Sequence, residues 1–194
     1  MKILVVGLNH RTAPVKTRER LAFDGQQVEQ GVYELKNRVP EAEFVILSTC
    51  NRVEIYCADK RIGGLGKQEI IEFLCDFHGI AAEEFEKQIY VFEDACAVNH
   101  LLGVSCGLDS MVLGEAQIIG QVRQSYKKAT TAKTSGRILN KLFHCAFRTS
   151  KEVYNQTGIS EGRFSVAGVA VELVEQFFAN VASVKVVVIG AGEI

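Results

Sequence analysis

The sequence predicts an α/β protein: a four-stranded, mostly antiparallel sheet with helices over 1–92, a helical part over 93–158, and a linker helix leading to the first strand of a second α/β unit over 159–194. Three observations predict it. Four short segments rich in β-branched and aromatic residues fall before residue 93. Beyond that point the apolar spacing turns helical, with breaks at Gly107, Gly136 and Gly158. Finally, the fully apolar run Val184 to Ile189 leads directly into Gly190-Ala191-Gly192.

Taken in order, Lys2 to Asn9 reads as a buried strand, followed by a turn and by Pro14, which suits the first position of a short helix over 14–22 because its missing N–H costs nothing there. Gln26 to Arg38 places Val28, Val32 and Leu35 at helical spacing, and Pro40 closes the segment. Glu43 to Ser48 and Val53 to Ala58 are strands separated by a polar loop. After the glycines at 63, 64 and 66, Gln68 to Phe77 is an amphipathic helix, Glu83 to Gln88 a short polar helix, and Ile89 to Phe92 the fourth strand. Helices are expected over about 94–106, 114–132, 137–157 and 164–181.

The 194 residues are 47% hydrophobic and 23% charged, which suits a globular protein of one or two domains. The apolar runs are too short to span a bilayer and no secretory leader is recognisable, so a cytoplasmic protein is expected. Six cysteines without a C-x-x-C pair predict free thiols. Cys96 and His100 are the one ligand-like pair, and without a second pair no metal site is expected. The net charge of −1 conceals an asymmetry: residues 121–163 carry nine Lys or Arg against Glu152 and Glu161, a local excess of seven positive charges. Such a stretch is a candidate polyanion-binding face.

Cys50 lies in Ser48-Thr49-Cys50-Asn51-Arg52, at the exit of an apolar strand. A sheet edge holds a reactive group rigidly while a loop exposes it. A thiol with pKa about 8.5 is only a few per cent thiolate at neutral pH, so a nucleophile here needs a nearby cation or loop N–H donors. Arg52 is the nearest cation in sequence.

The segment Ser48-Thr49-Cys50-Asn51-Arg52-Val53-Glu54 resembles the S-T-C-N-R-x-E signature of glutamyl-tRNA reductases. Two further blocks, Gly7-Leu8-Asn9-His10-Arg11-Thr12-Ala13-Pro14 and the stretch from Gly107 to Val122, resemble the same family in the same order. The resemblance implies that 1–158 is a catalytic, glutamyl-tRNA-recognition domain in which Cys50 forms a glutamyl thioester, reduced with NADPH to glutamate-1-semialdehyde for tetrapyrrole synthesis. It implies a catalytic or orienting role for His100, and substrate contacts at Thr49, Asn51, Arg52, Ser110, Glu115, Ala116, Gln117 and Gln121. Charge suggests Arg52 as a bidentate clamp for the substrate carboxylate and Glu115 as the partner of its ammonium group. The family commonly has proline where Ala116 stands.

Gly190, Ala191, Gly192, Glu193 and Ile194 look like the opening turn of a Rossmann unit, an incomplete cofactor site without the third glycine and ribose-reading residue. NADPH is therefore expected to need more protein than 1–194, and this chain to perform acyl transfer or ester hydrolysis. The family further implies a homodimer through a C-terminal domain and hand-over of the semialdehyde to glutamate-1-semialdehyde aminomutase, with no membrane partner. The alternatives are a tRNA-binding module without catalysis and a thiol redox sensor.

Overall fold

The computed structural model describes residues 2–61, 64–115, 117–160, 166–178, 185 and 187. The strands are β1 (Lys2–Asn9), β2 (Glu43–Ser48), β3 (Arg52–Asp59) and β4 (Tyr90–Glu93). The helices are α1 (Val15–Leu21), α2 (Gly25–Arg38), α3 (Lys67–His78), α4 (Asp94–Ser105), α5 (Gln117–Thr131), α6 (Arg137–Gln156) and α7 (Val166–Phe177). The sheet order is β2-β3-β1-β4, and every pairing is antiparallel.

Alternation along the strands builds two cores. Leu4, Val6, Leu8, Phe44, Ile46, Val53, Ile55 and Cys57 face one side, where Val28, Val32 and Leu35 of α2 and Ile70, Phe73 and Leu74 of α3 cover them. Val5, Val45, Leu47, Tyr56 and Ala58 face the other, beneath Leu101 of α4, Val122 of α5 and Phe143 of α6. Successive side chains of a strand point to opposite faces, so a sheet covered on both sides needs apolar residues at consecutive positions. That is why Ile3 to Leu8 of β1 and Phe44 to Leu47 of β2 read as apolar runs. Each fully buried Leu, Ile, Val or Phe is worth about 1.5–3 kcal/mol, more than an exposed ion pair such as Lys2–Glu93 at about 0–1 kcal/mol.

The structure departs from the expected elements in two places. Residues 83–88 form two 3-10 turns, Ala82–Glu84 and Glu86–Gln88, broken at Phe85, whose fully buried ring fixes the chain there. The helix expected from 114 begins at Gln117. Gly107 and Gly114 adopt φ of +72° and +80°, which interrupts right-handed helix and folds 107–115 into a loop closed by Gly114 N–H donating to Gly107 O at 3.0 Å. The expected strand 184–189 and the glycine turn 190–194 lie outside the described residues.

Candidate active site

β2 and β3 are joined by Thr49-Cys50-Asn51, which places Cys50 at the tip of a tight hairpin at one end of the sheet. Thr49 organises the turn: its Oγ1 accepts from the N–H groups of Asn51 and Arg52, both at 3.1 Å, and its own N–H donates to Arg52 O at 2.8 Å. The neighbouring elements brace it. Arg18 of α1 donates from Nε to Cys50 O at 3.2 Å, His10 N–H donates to Asn51 O at 2.9 Å, and Phe23 N–H donates to Ser48 Oγ at 2.9 Å. With its backbone held from three sides, the Cys50 side chain remains exposed.

A cleft of about 100 Å³ opens beside it, lined by Thr49, Cys50, Asn51, Arg52, Ser110, Glu115, Gln117, Ile118 and Gln121. Eight of the residues singled out from sequence therefore meet in one small cavity. Ala116 lies outside the described residues, as do Gly190, Ala191, Gly192, Glu193 and Ile194. His100 is not among the lining residues; it stands behind the cleft in a buried network centred on Glu54.

Period-two geometry builds that network: Arg52, Glu54 and Tyr56 share the face of β3 that α4 covers. Glu54 is 0% exposed. Its Oε1 accepts from Arg52 Nη1 at 2.7 Å and Tyr90 Oη at 2.6 Å, and lies 2.9 Å from His100 Nε2; its Oε2 accepts from Tyr56 Oη. Burial pushes the Glu54 carboxyl up, but the Arg52 charge and the His100 hydrogen bond outweigh it and bring the pKa down to about 2. Burial, and after it the same carboxylate, raises the Tyr56 and Tyr90 hydroxyls well above their ordinary value. The His100 ring stacks on Phe92 with centroids 4.6 Å apart.

Arg52, expected as a bidentate clamp for the substrate carboxylate, is already engaged by side chains of the protein. It is 1% exposed, its Nη1 is held by Glu54, and its Nη2 donates to Asp109 O at 2.6 Å and pairs with Asp109 Oδ2 at 3.0 Å. A substrate carboxylate reaches Nη2 only by replacing Asp109. Asp109 also accepts from Asn9 Nδ2 at 3.1 Å and pairs with Arg11 at 2.9 Å. It thus joins the β1–α1 turn, the β2–β3 hairpin and the loop 107–115, the three places where the recognisable sequence blocks fall. Sequence reasoning missed Glu54 and Asp109 as site components. The signal for Glu54 was three polar residues at 52, 54 and 56 alternating with apolar ones in β3; Asp109 gave none, because its partners lie 57 and 100 residues away.

Burial lowers the pKa of His10, with Arg11 and Arg52 adding to the shift and Asp109 opposing it. Among the described residues no three His, Cys, Asp or Glu side chains gather as metal ligands, and no helix is long and apolar enough to cross a membrane.

Comparison with known proteins places this geometry. The family described as glutamyl-tRNAGlu reductase, N-terminal domain, matches residues 6–157. The chain belongs to that family. The glutamyl-tRNA reductase of Pseudoalteromonas translucida is 40% identical over 193 residues, which cover all of this chain and 46% of that protein. That of Geobacter metallireducens is 45% identical over 193 residues, covering 44% of its length. The solved structure of glutamyl-tRNA reductase from Methanopyrus kandleri matches with a TM-score of 0.69 and 30% identity, over 90% of this chain and 39% of that one. The chain thus spans less than half the length of the reductases it matches, and the cleft at Cys50 lies within the matched part.

Proposed function

We propose that this chain is the acyl-accepting part of an NADPH-dependent glutamyl-tRNA reductase, in which Cys50 takes the glutamyl group from glutamyl-tRNA(Glu). The observation that carries the reading is the convergence of Cys50, Thr49, Asn51, Arg52, Ser110, Glu115, Gln117 and Gln121 on one cleft sized for an amino-acid side chain. The Cys50 thiolate attacks the ester carbonyl; the new S–C bond forms, the C–O bond to the terminal ribose breaks, and the departing ribose oxygen takes up a proton. Exposure on a braced hairpin holds Sγ in place for this attack.

Within the cleft, Glu115 is suited to the substrate ammonium group and the Nη2 edge of Arg52 to its carboxylate, in exchange for Asp109. His100 and Glu54 act as positioning residues: together they hold Arg52 against the cleft wall. A thioester is a better hydride acceptor than an oxygen ester, and thiolate leaves readily from the reduced carbon; that chemistry accounts for cysteine at position 50. NADPH, when bound, supplies the hydride that yields glutamate-1-semialdehyde, the precursor of 5-aminolevulinate and porphyrins. The residues expected to begin its site, Gly190 to Ile194, lie outside the described residues, so the step assigned to the described ones is acyl transfer.

The reading further places residues 1–158 as the catalytic and tRNA-recognition domain, with 159–194 leading into the cofactor domain. It also places the complete reductase in the cytoplasm, as a homodimer that passes its semialdehyde to the aminomutase. The decisive test supplies glutamyl-tRNA(Glu) to the chain and follows Cys50 by intact and peptide mass. A glutamyl adduct at Cys50, absent in Cys50→Ser, is the expected result. Binding of the tRNA without acylation would instead place the chain among tRNA-binding modules. Reversible peroxide oxidation of Cys50 coupled to a change in binding, again without acylation, would place it among thiol sensors.

A further inference from the structure

A second cavity of about 280 Å³ adjoins the cleft, lined by Phe23, Asp24, Gly25, Val28, Ser48, Gln121, Gln124, Ser125 and Lys128. The two cavities meet at Gln121, which lines both, and at Ser48 beside Thr49. The second is a nearly threefold larger space, immediately next to the small one, and nothing in the acyl-transfer reading above occupies it.

Its chemistry is specific. Gln121, Gln124 and Ser125 follow one another along α5 at helical spacing, and among the described residues none of their side chains is engaged in a hydrogen bond. A glutamine amide presents one donor and one acceptor side by side, the arrangement that pairs with the N6 and N7 of adenine. Phe23 and Val28 supply an apolar wall. At the rim, Lys128 Nζ is steadied by donating to Gly25 O at 3.1 Å, which leaves two of its three protons for an anion. The N-terminus of α2 is not the attraction, because the Asp24 carboxylate already accepts from the N–H groups of Gln26 and Gln27.

Resting on the proposed acyl transfer at Cys50, we infer that this cavity binds the terminal adenosine of the tRNA, with Gln124 and Gln121 reading the base and Lys128 meeting the adjoining phosphate. The ester carbonyl must lie at Cys50 while the glutamyl side chain fills the small cleft. The nucleoside on the other side of the ester then needs a neighbouring site, and the shared Gln121 wall provides it. Binding the leaving nucleoside lets interactions remote from the reacting carbonyl accelerate attack on it.

The test compares acylation of Cys50 by two small esters, 3′-O-glutamyl-adenosine and the α-methyl ester of glutamate, followed by intact mass. The ratio of the two rates, corrected for their ester reactivities in a free-thiol control, should exceed about tenfold in the unmodified chain, the discrimination expected of a bidentate base contact. It should fall toward one in Gln124→Ala, an exposed position where substitution spares the core. A corrected ratio near one in the unmodified chain, or a ratio that Gln124→Ala leaves intact, would overturn the adenosine site while leaving Cys50 acylation standing. Failure of both esters to acylate Cys50 would overturn the acyl-transfer reading and this inference with it.

Discussion

Glu54 concentrates more of the site than any residue that touches the cleft. Removing its charge in Glu54→Gln leaves the Arg52 guanidinium buried beside Asp109 alone, and breaking a buried pair from one side costs about 3–5 kcal/mol. Urea unfolding should show a loss of that size, with the slope unchanged. The sign of its pH dependence follows from a carboxyl whose folded pKa, about 2, lies below the ordinary 4.5. The stability it contributes is complete above pH 4.5 and is lost as pH falls toward 2, so the acid limb of the unfolding profile should flatten in Glu54→Gln. His100→Ala removes one partner of the same carboxylate, and should slow Cys50 acylation while Cys50 stays exposed to thiol reagents. A general base contacting the substrate would give a different signature, with acylation rescued by added imidazole.

At the scale of elements, the hairpin tip, the β1–α1 turn and the loop 107–115 form one unit because Asp109 ties them together. Gly114 sets the path of that loop: its φ is +80°, and a Cβ there would lie 2.3 Å from Ile159 O. Gly114→Ala should therefore destabilise the fold by about 1–3 kcal/mol and slow acylation beyond that loss, because Ser110 and Glu115 shift with the loop; thermal melting beside the acylation rate checks both. The elements show how far the sequence could be read. Strands and long helices were legible to within a few residues, because two-sided burial writes apolar runs into β1 and β2, β-branched and aromatic residues mark β3, and amphipathic spacing writes α2 and α6. The start of α5 was not, since local spacing continues through Gly114 while the left-handed glycines act through backbone geometry. Cys50 and the residues of its cleft were legible as motif residues. The engagement of Arg52 by Asp109 was not, because a contact across 57 residues leaves no periodic trace.

Across the whole molecule, both covering layers of the sheet meet at the site, because Gly25 and Val28 of α2 line the second cavity opposite α5. α2 and α3 complete one core, while α4, α5 and α6 on the opposite face supply His100, the cleft wall and the basic surface. Arg123, Lys127, Lys133, Arg137, Lys141 and Arg148 are exposed along α5, α6 and the turn between them, and Lys128 of the same α5 lines the second cavity. Converting Lys127 and Lys133 to Gln should weaken tRNA binding and make the slope of log K against log salt shallower by about 1–2, since each lost phosphate contact removes close to one released counterion. An unchanged slope would place the tRNA body on another face. The account stands or falls on Cys50, and the most direct measurement is the mass of the chain after mixing with glutamyl-tRNA(Glu) in the absence of NADPH. The account predicts one glutamyl group per chain, mapped to Cys50 and released by hydroxylamine, with none in Cys50→Ser; an unmodified Cys50, or an equal yield of adduct in Cys50→Ser, would contradict it.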